Sequence, residues 1–548
     1  MQVFANKDPI KALWWRCMNE DAECLRVHGS EDPAAAGFCS LSEDSWAWTA
    51  SNKSIISQFN LICSNAWLAQ LVNSIFFLGY LIGSGTFGNM ADRHGRKKTL
   101  MFASGLATLG TLMSALSYNY WVYAASRLLT GVGAAGQSLV TYLLATESVG
   151  PSRRGFAGVA TQMVFIVGEF ALVLVAFLLQ RWQLMCFCIS AISALSMVVL
   201  LFVPESPRWL LAMGRQAEAE AVMSKIAEVN GTRMPLEPLT NPPPAADGNQ
   251  LSLGAVLKHR NICRRFTILA YVWCVLCMCY YGISLAVNSL QGSIYLIFLL
   301  AAAAEIPANL LGMWLIERIG RHNTLAAGIL LAGLSCLVCS FCPPGPTQAI
   351  FAAIGKFGCA GAFTIASIFT SELFPTLVRS AVLGAENESA RLGGIAAPFV
   401  VLLGTQLHNP SLPFVLFGVT SVLAGLLILT LPETLGAPLP DTMQDLDAIS
   451  SIFSSGAYKQ GWRAAGNALF HTRAHGSRQN LQRVSEEADD KPPSCAGPIQ
   501  HVQEVLLTKS DGKPPTPVDA YSIVVMPQQP HADGERVALL GDQVRSSS

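Results

Sequence analysis

The chain has 548 residues, 51% of them hydrophobic and only 13% charged, with a formal net charge of zero. A soluble chain of that length divides into several domains with more charge on their surfaces, so this composition excludes an ordinary globular protein. The balance of 36 cations against 36 anions also leaves no basic excess for binding nucleic acid.

Residues 1–64 read as a segment on the outer side of a membrane. They contain Cys17, Cys24, Cys39 and Cys63, an even number in an oxidising setting, so two disulfides are expected with all three pairings open. Asn52-Lys53-Ser54 is a glycosylation acceptor. Met1–Cys24 has no apolar core and does not read as a signal peptide.

Eleven apolar blocks follow, at 65–90, 99–117, 121–145, 157–179, 183–203, 266–287, 293–316, 324–342, 348–371, 381–404 and 412–431. Each approaches the about 20 residues that a helix needs to cross a bilayer. Several are dense in Gly and Ala, as closely packed helices require. The expected fold is an all-α polytopic membrane protein of eleven transmembrane helices, with bilayer lipid as its solvent. Two bundles, 65–203 and 266–431, flank a linker at 204–265. The linker holds a helix-forming stretch, GRQAEAEAVMSKIAEVNG, and a breaker, NPPPAADGNQ; its short helices are expected to latch the bundles from below. A tail, 432–548, turns polar and is expected to be disordered beyond about residue 455.

Lys and Arg fall seventeen to one on alternate loops, with Arg181 the single exception. That bias puts the linker and the C-terminal tail in the cytoplasm and residues 1–64 outside. The expected location is the plasma membrane or an endosomal or vacuolar membrane; Glu535–Leu540 reads as an acidic dileucine signal, which would point to the latter.

At an offset of 225 residues the chain matches itself. Asp92, Arg93, Gly95 and Arg96 fall on Glu317, Arg318, Gly320 and Arg321; Glu147 falls on Glu372 and Arg154 on Arg379. Pro204-Glu205 recurs as Pro432-Glu433 after a three-residue slip. Two copies of one bundle are the architecture of secondary transporters, which hold substrate near the midplane between the halves. The repeated charges then read as a cytoplasmic gate. Asp92 is expected to face the positive N-terminal end of a helix in the other half. The arginines are expected to reach Glu147 or Glu205, and the second half to mirror them.

An ionisable group inside a bilayer costs at least about 2.5–3.5 kcal/mol, so each requires a partner or a ligand. Glu305 sits in LLAAAAEIPANLL, Glu169 in VFIVGEFALVL and Arg391 in ENESARLGG. Lys356 can pair with Glu305 or with Glu169, and Arg391 with Glu388 or Glu386. A guanidinium also suits a carboxylate ligand. Glu169, if desolvated, is a site for a coupling proton. Tyr280 and Tyr281, with Tyr295, can cage an ammonium, or anchor the helix at the interface instead. Cys336-x-x-Cys339-x-x-Cys342 lies within a hydrophobic helix and reads as packing rather than a metal site. With no Gly-rich phosphate loop, HExxH or GxSxG outside the membrane, neither an enzyme nor a cofactor is expected.

GNMADRHGRKK (Gly88–Lys98) resembles the signature loop of the major facilitator superfamily. Finer motifs resemble solute carrier family 22, the organic cation, anion and zwitterion transporters: RLLTGVGAAG (Arg127–Gly136), PESPRWLL (Pro204–Leu211), AEIPA (Ala304–Ala308), TSELFPTLVRS (Thr370–Ser380) and LPETLGAPLPDT (Leu431–Thr442). The resemblance is nearest to the plant organic cation/carnitine transporters and the related animal zwitterion carriers, and covers roughly residues 12–450. It implies twelve helices with a large extracellular loop after the first; this sequence starts in what resembles that loop, so helix one is expected to be missing. It further implies substrate contact at Glu305, Tyr280 and Gln162. At the position of Arg391, cation carriers of the family carry an acid, and anion and zwitterion carriers usually an Arg. Glu169 departs from the family, where that position is generally uncharged. The implied activity is secondary active or facilitative transport of small organic cations or zwitterions, carnitine- or betaine-like, by alternating access with H+ or Na+ as coupling ion. The alternatives are a transporter-like sensor without turnover, or a carrier of sugars or organic anions.

Overall fold

In the computed structural model the described residues are 15–18, 22–28, 30, 37–49, 53–150, 154–232, 234, 260–286, 293–343, 345–374, 376–407, 409 and 411–435. Asn52, the dileucine stretch and the tail beyond residue 435 lie outside them.

The N-terminal segment carries elements that its sequence pattern does not announce. Strands β1 (Trp15–Cys17) and β2 (Trp46–Trp48) pair antiparallel, with Trp15 opposite Trp48 and Cys17 opposite Trp46. A short helix, α1 (Ala22–His28), supplies Cys24 and Val27 to a small core with Phe38. The disulfides are Cys17–Cys24 and Cys39–Cys63. Helix α2 (Ile55–Gln58) then seats the segment on the bundle, where Trp182 Nε1 donates to Gln58 Oε1 at 2.8 Å.

Every apolar block lies largely within a helix. The first lobe comprises α3 (Ala66–His94), α4 (Arg96–Ala115), α5 (Tyr120–Glu147), α6 (Arg154–Leu179) and α7 (Trp182–Phe202). Two short helices follow, α8 (Pro207–Ala212) and α9 (Gln216–Asn230). The second lobe comprises α10 (Arg260–Ala286), α11 (Ile294–Arg318), α12 (Arg321–Phe341), α13 (Pro346–Leu373), α14 (Thr376–Gln406) and α15 (Leu412–Ile428). Among the described residues, eight of these helices are long and apolar enough to cross a membrane. Of the other three blocks, that in α4 is diluted by Gly, Ser and Thr, that in α14 carries Glu386, Glu388 and Arg391, and that in α15 forms a helix of only 17 residues. Helices also run past the apolar blocks: α10 starts at Arg260, inside the expected linker, and α3 continues through Asp92 and Arg93. The backbone ladder does not need an apolar side chain to continue, so hydropathy marks the greasy middle of a helix and not its ends.

Local chemistry sets the ends. Asn119 caps α5 by accepting from Val122 N at 2.9 Å, and Ser206 caps α8 by accepting from Trp209 N, with Pro207 in the first turn. Between α3 and α4, and between α11 and α12, a single glycine makes the reversal. Gly95 has φ 100° and ψ 157°, and Gly320 has φ 95° and ψ 166°. This region of backbone space is essentially open to glycine alone.

Small residues let the helices approach. A Cβ on Gly79 of α3 would overlap the Leu128 carbonyl of α5, and one on Gly131 of α5 would overlap the Phe76 carbonyl of α3. Within the first lobe α5 packs on α3 and α4, and α7 on α4; within the second, α13 packs on α11 and α12, and α15 on α12. Under the 225-residue repeat these contacts exchange. So do the two seams between the lobes, α3 against α14 and α11 against α6. Side chains such as Leu178, Leu195, Phe202, Leu310 and Trp314 are exposed on the outside of the bundles, as lipid contact requires.

Candidate functional site

Four of the charged and aromatic groups singled out in the sequence meet at the seam. Glu305, on α11, lies 2.8 Å from the Lys356 ammonium of α13, and the two side chains are 4% and 1% exposed. The pair has ion-pair distance without hydrogen-bond alignment, since Lys356 Nζ has no partner by that criterion. Tyr280, on α10, donates its hydroxyl to Glu305 Oε1 at 2.8 Å and lies 3.3 Å from Glu169 Oε1. Glu169 belongs to α6 of the first lobe and stands 3.6 Å from Lys356. The ammonium also sits over two rings, 4.9 Å from the centroid of Tyr280 and 5.0 Å from that of Phe298. A charge removed from water needs such company, and here it has two carboxylates and two aromatic faces. Lys356 thus answers both of the alternatives that its sequence position offered, pairing with Glu305 closely and with Glu169 more loosely.

The acid is held in place from behind. Asn309, one turn beyond Glu305, donates to the Glu305 carbonyl at 3.0 Å and accepts from Thr364 Oγ1 of α13 at 2.8 Å. Tyr281 meets Tyr280 edge to face at 5.1 Å and Phe77 of the first lobe at 4.6 Å, so it lines the seam beside the cluster. Tyr295 meets Phe177 across the α6–α11 seam at 5.5 Å. Gln162 lies on α6 seven residues before Glu169, about two turns away, and is exposed with no hydrogen-bond partner among the described residues.

Arg391, on α14, does not pair with either nearby glutamate. Its Nη2 donates to Asn387 Oδ1 at 2.9 Å, its guanidinium lies 4.1 Å over the Tyr80 ring of α3, and its buried Nε has no partner. Among the described residues no carboxylate lies within ion-pair distance of it. Glu386, fully buried, instead accepts from Thr370 Oγ1 at 2.7 Å. Ser74 of α3 donates to the Ile395 carbonyl of α14 at 2.8 Å and ties the same seam.

The repeated charge sets form two matching clusters, each closed within its own lobe. In the first, Arg96 bonds Glu147 through Nε at 3.0 Å and Nη2 at 2.9 Å, and donates to the Ala91 carbonyl. Glu205 accepts from the backbone amides of Arg96 at 2.9 Å and Lys97 at 3.0 Å, so its carboxylate caps α4. Ser206 Oγ donates to Glu147. In the second, Arg321 pairs with Glu372 at 3.1 Å and donates to the Ile316 carbonyl. Glu433 accepts from Arg321 N at 2.9 Å, and Thr434 Oγ1 donates to Glu372 at 2.6 Å. Hence the carboxylate on a helix N-terminus is that of Glu205, and of Glu433 in the repeat. Asp92 does not make the reach into the other half in this structure. It is 68% exposed and pairs with Arg96, the first residue of α4 just past the Gly95 turn, at 3.1 Å. Among the described residues every hydrogen bond and ion pair of these clusters stays within one lobe. Arg379 donates to the Phe374 carbonyl at 3.3 Å, Arg318 stacks on Trp314, and Arg93 and Glu317 are exposed. The side chain of Arg154 lies outside the described residues.

Sequence reasoning missed Phe298 and Tyr80, which have no charge to mark them, and Ser206 and Thr434, which the repeat contains at the same slip as Glu205 and Glu433.

Residues 34–446 match the family described as sugar (and other) transporter. A solute carrier family 22 member 15-like protein of Xenopus laevis is 35% identical over 403 residues, covering 72% of this chain and 82% of that protein. Organic cation/carnitine transporter 4 of Arabidopsis thaliana is 34% identical over 462 residues, covering 81% and 84%. Organic cation/carnitine transporter 2 of Homo sapiens is 32% identical over 401 residues, covering 72% and 71%. Among solved structures, the inward-open xylose transporter XylE from E. coli superposes with a TM-score of 0.55 at 18% identity, covering 70% of this chain and 89% of that one. At that identity the likeness carries the fold alone. Two pseudo-symmetric lobes, charges gathered where the lobes meet, and relatives of this kind describe a multi-pass membrane transporter of the major facilitator superfamily and not an enzyme; the chain belongs to the sugar (and other) transporter family, alongside the members of solute carrier family 22.

Proposed function

We propose that the chain carries a small organic cation or zwitterion, carnitine- or betaine-like, across the membrane by alternating access. One observation supports this most: a buried acidic cluster with two carboxylates to one lysine lies at the α6–α11 seam, and Arg391, a guanidinium with no carboxylate partner, lies at the α3–α14 seam between the same two lobes. An ammonium suits the first and a carboxylate the second. Relatives named for organic cations and carnitine support the same substrate class. A sugar needs neither buried charge, and burying a charge without use is costly.

In this reading Glu305, Tyr280 and Tyr281 line the ammonium end, Arg391 the carboxylate end, and Gln162 the exposed wall of the cavity. The two inner clusters, Arg96–Glu147–Glu205 and Arg321–Glu372–Glu433, brace the feet of their lobes. Asp92, Arg93, Arg154, Glu317, Arg318 and Arg379 then meet across the gap when the lobes close at that end. Coupling to H+ runs through Glu169, the one acid of the cluster in the first lobe. The Lys and Arg bias supports a cytoplasmic position for the clusters and the C-terminus.

The test is uptake into vesicles of labelled carnitine, betaine, choline and an organic anion. Arg391→Ala is expected to cut carnitine and betaine uptake at least tenfold and to spare choline, which has no carboxylate. Equal loss for all three, or none, rejects the zwitterion assignment. No uptake of any of the four by the wild-type chain rejects the substrate class.

A further inference from the structure

The ammonium subsite is already occupied, by the protein itself. Lys356 has what a substrate ammonium would require: burial, two aromatic faces at 4.9 and 5.0 Å, and carboxylates at 2.8 and 3.6 Å. The two ion pairs differ in kind. The 2.8 Å pair to Glu305 lies inside the second lobe, and the 3.6 Å pair to Glu169 crosses to the first. Tyr280, Phe298, Glu305 and Lys356 all come from α10, α11 and α13, so Glu169 is the only member of the cluster that the first lobe supplies. Two carboxylates against one ammonium leave one negative charge over. Glu169 Oε2 is buried and has no hydrogen-bond partner, which places the unanswered acceptor on that same residue.

We propose that Lys356 is a tethered stand-in for the substrate cation: it ties Glu169 across the seam until a substrate ammonium takes Glu169, and the lobes are thereby released at this point. This rests on the reading of the chain as a carrier of organic cations or zwitterions. The exchange is inexpensive because Lys356 keeps its nearer partner, Glu305, when it gives up Glu169. It is also selective. A ligand shifts a conformational equilibrium only by its difference in affinity for the two states, and a neutral solute has nothing to offer Glu169. Occupancy by a cation is thus converted into loss of an inter-lobe contact. A cation–lysine competition of this kind also explains why the cluster contains a second acid: with Glu305 alone, Lys356 would neutralise the site.

The experiment uses the full chain in vesicles with choline as the probe. Labels on unnatural amino acids at the exposed Lys98 and Asn323 report the separation of the lobes. In the wild type, saturating choline is expected to shift the distance distribution. Glu169→Gln, which leaves the Lys356–Glu305 pair intact, is expected to raise the KM for choline at least tenfold. Its distances should be shifted before choline is added and unmoved after. Lys356→Arg, which keeps the cation, is expected to retain the choline-dependent shift. Glu169→Gln with a wild-type KM and a wild-type choline response overturns the proposal. If that variant does not fold, Glu169→Asp serves, with a lengthened tie and a raised KM expected and wild-type behaviour overturning. Wild-type uptake together with an unaffected Glu169 variant defeats only this inference, whereas absence of wild-type uptake defeats the substrate reading beneath it.

Discussion

Glu305→Gln is expected to abolish uptake of choline and carnitine, by more than a hundredfold, and to destabilise the folded chain. The substitution removes the 2.8 Å partner of a lysine that is 1% exposed. Removing one member of a buried ion pair costs about 3–5 kcal/mol, because the other charge stays out of water without compensation. Lys356 then closes on Glu169 across the seam, so the surviving population is held shut as well as weakened. The double variant Glu305→Gln/Lys356→Met separates the two effects. It deletes both charges of the pair and is expected to recover most of the melting temperature in detergent while uptake stays lost. Thermal unfolding and vesicle uptake, measured on the same preparations, check this. A Glu305→Gln protein with ordinary uptake would remove Glu305 from the transport site.

Gly320→Ala, and Gly95→Ala in the other lobe, are expected to lower the folded yield several-fold and to depress the melting temperature. Two costs combine. A side chain in this region of backbone space costs about 1–3 kcal/mol. The new Cβ would also overlap the carboxylate of Glu433 at Gly320, or of Glu205 at Gly95. That carboxylate is the cap of the next helix, and hydrogen bonds to a charged group contribute about 1.5–3 kcal/mol. The sum is a large fraction of the about 5–15 kcal/mol by which proteins are stable. Alanine at Gly85 or Gly384, where a Cβ meets open space, is the control expected to leave yield and melting temperature unchanged. Size-exclusion profiles of solubilised protein would show the contrast. A normal profile for Gly320→Ala would mean that the glutamate cap does not hold the α11–α12 turn.

Much of this architecture was legible from residue types and their spacing. Hydropathy finds helix middles because a bilayer-spanning segment must be apolar over its whole length. The 225-residue repeat finds the paired lobes because Asp/Glu, Gly and Arg recur together, and the glycines recur for the conformational reason just given. Legibility ended where one segment's contacts depend on another's position. The four outer cysteines allow three pairings, and it is the antiparallel β1–β2 pairing and helix α1 that accompany Cys17–Cys24 and Cys39–Cys63. Arg391 has Glu388 at helical spacing, yet the packing of α14 on α3 sets its guanidinium over Tyr80. Asp92 has the sign and position for a reach across the lobes, but the site at a helix N-terminus is filled by Glu205, which arrives from the end of α7.

The sequence by itself determined a duplicated membrane-spanning bundle, its charge-bearing turns, and the short list of ionisable groups that a bilayer would not tolerate without a reason. These are properties of single segments, fixed by transfer free energy and backbone geometry. Only the tertiary structure decided that Lys356 stands between two acids from different lobes, one near and one far. Three charges on three helices admit several pairings of similar Coulomb energy, and the choice among them is made by how the helices pack.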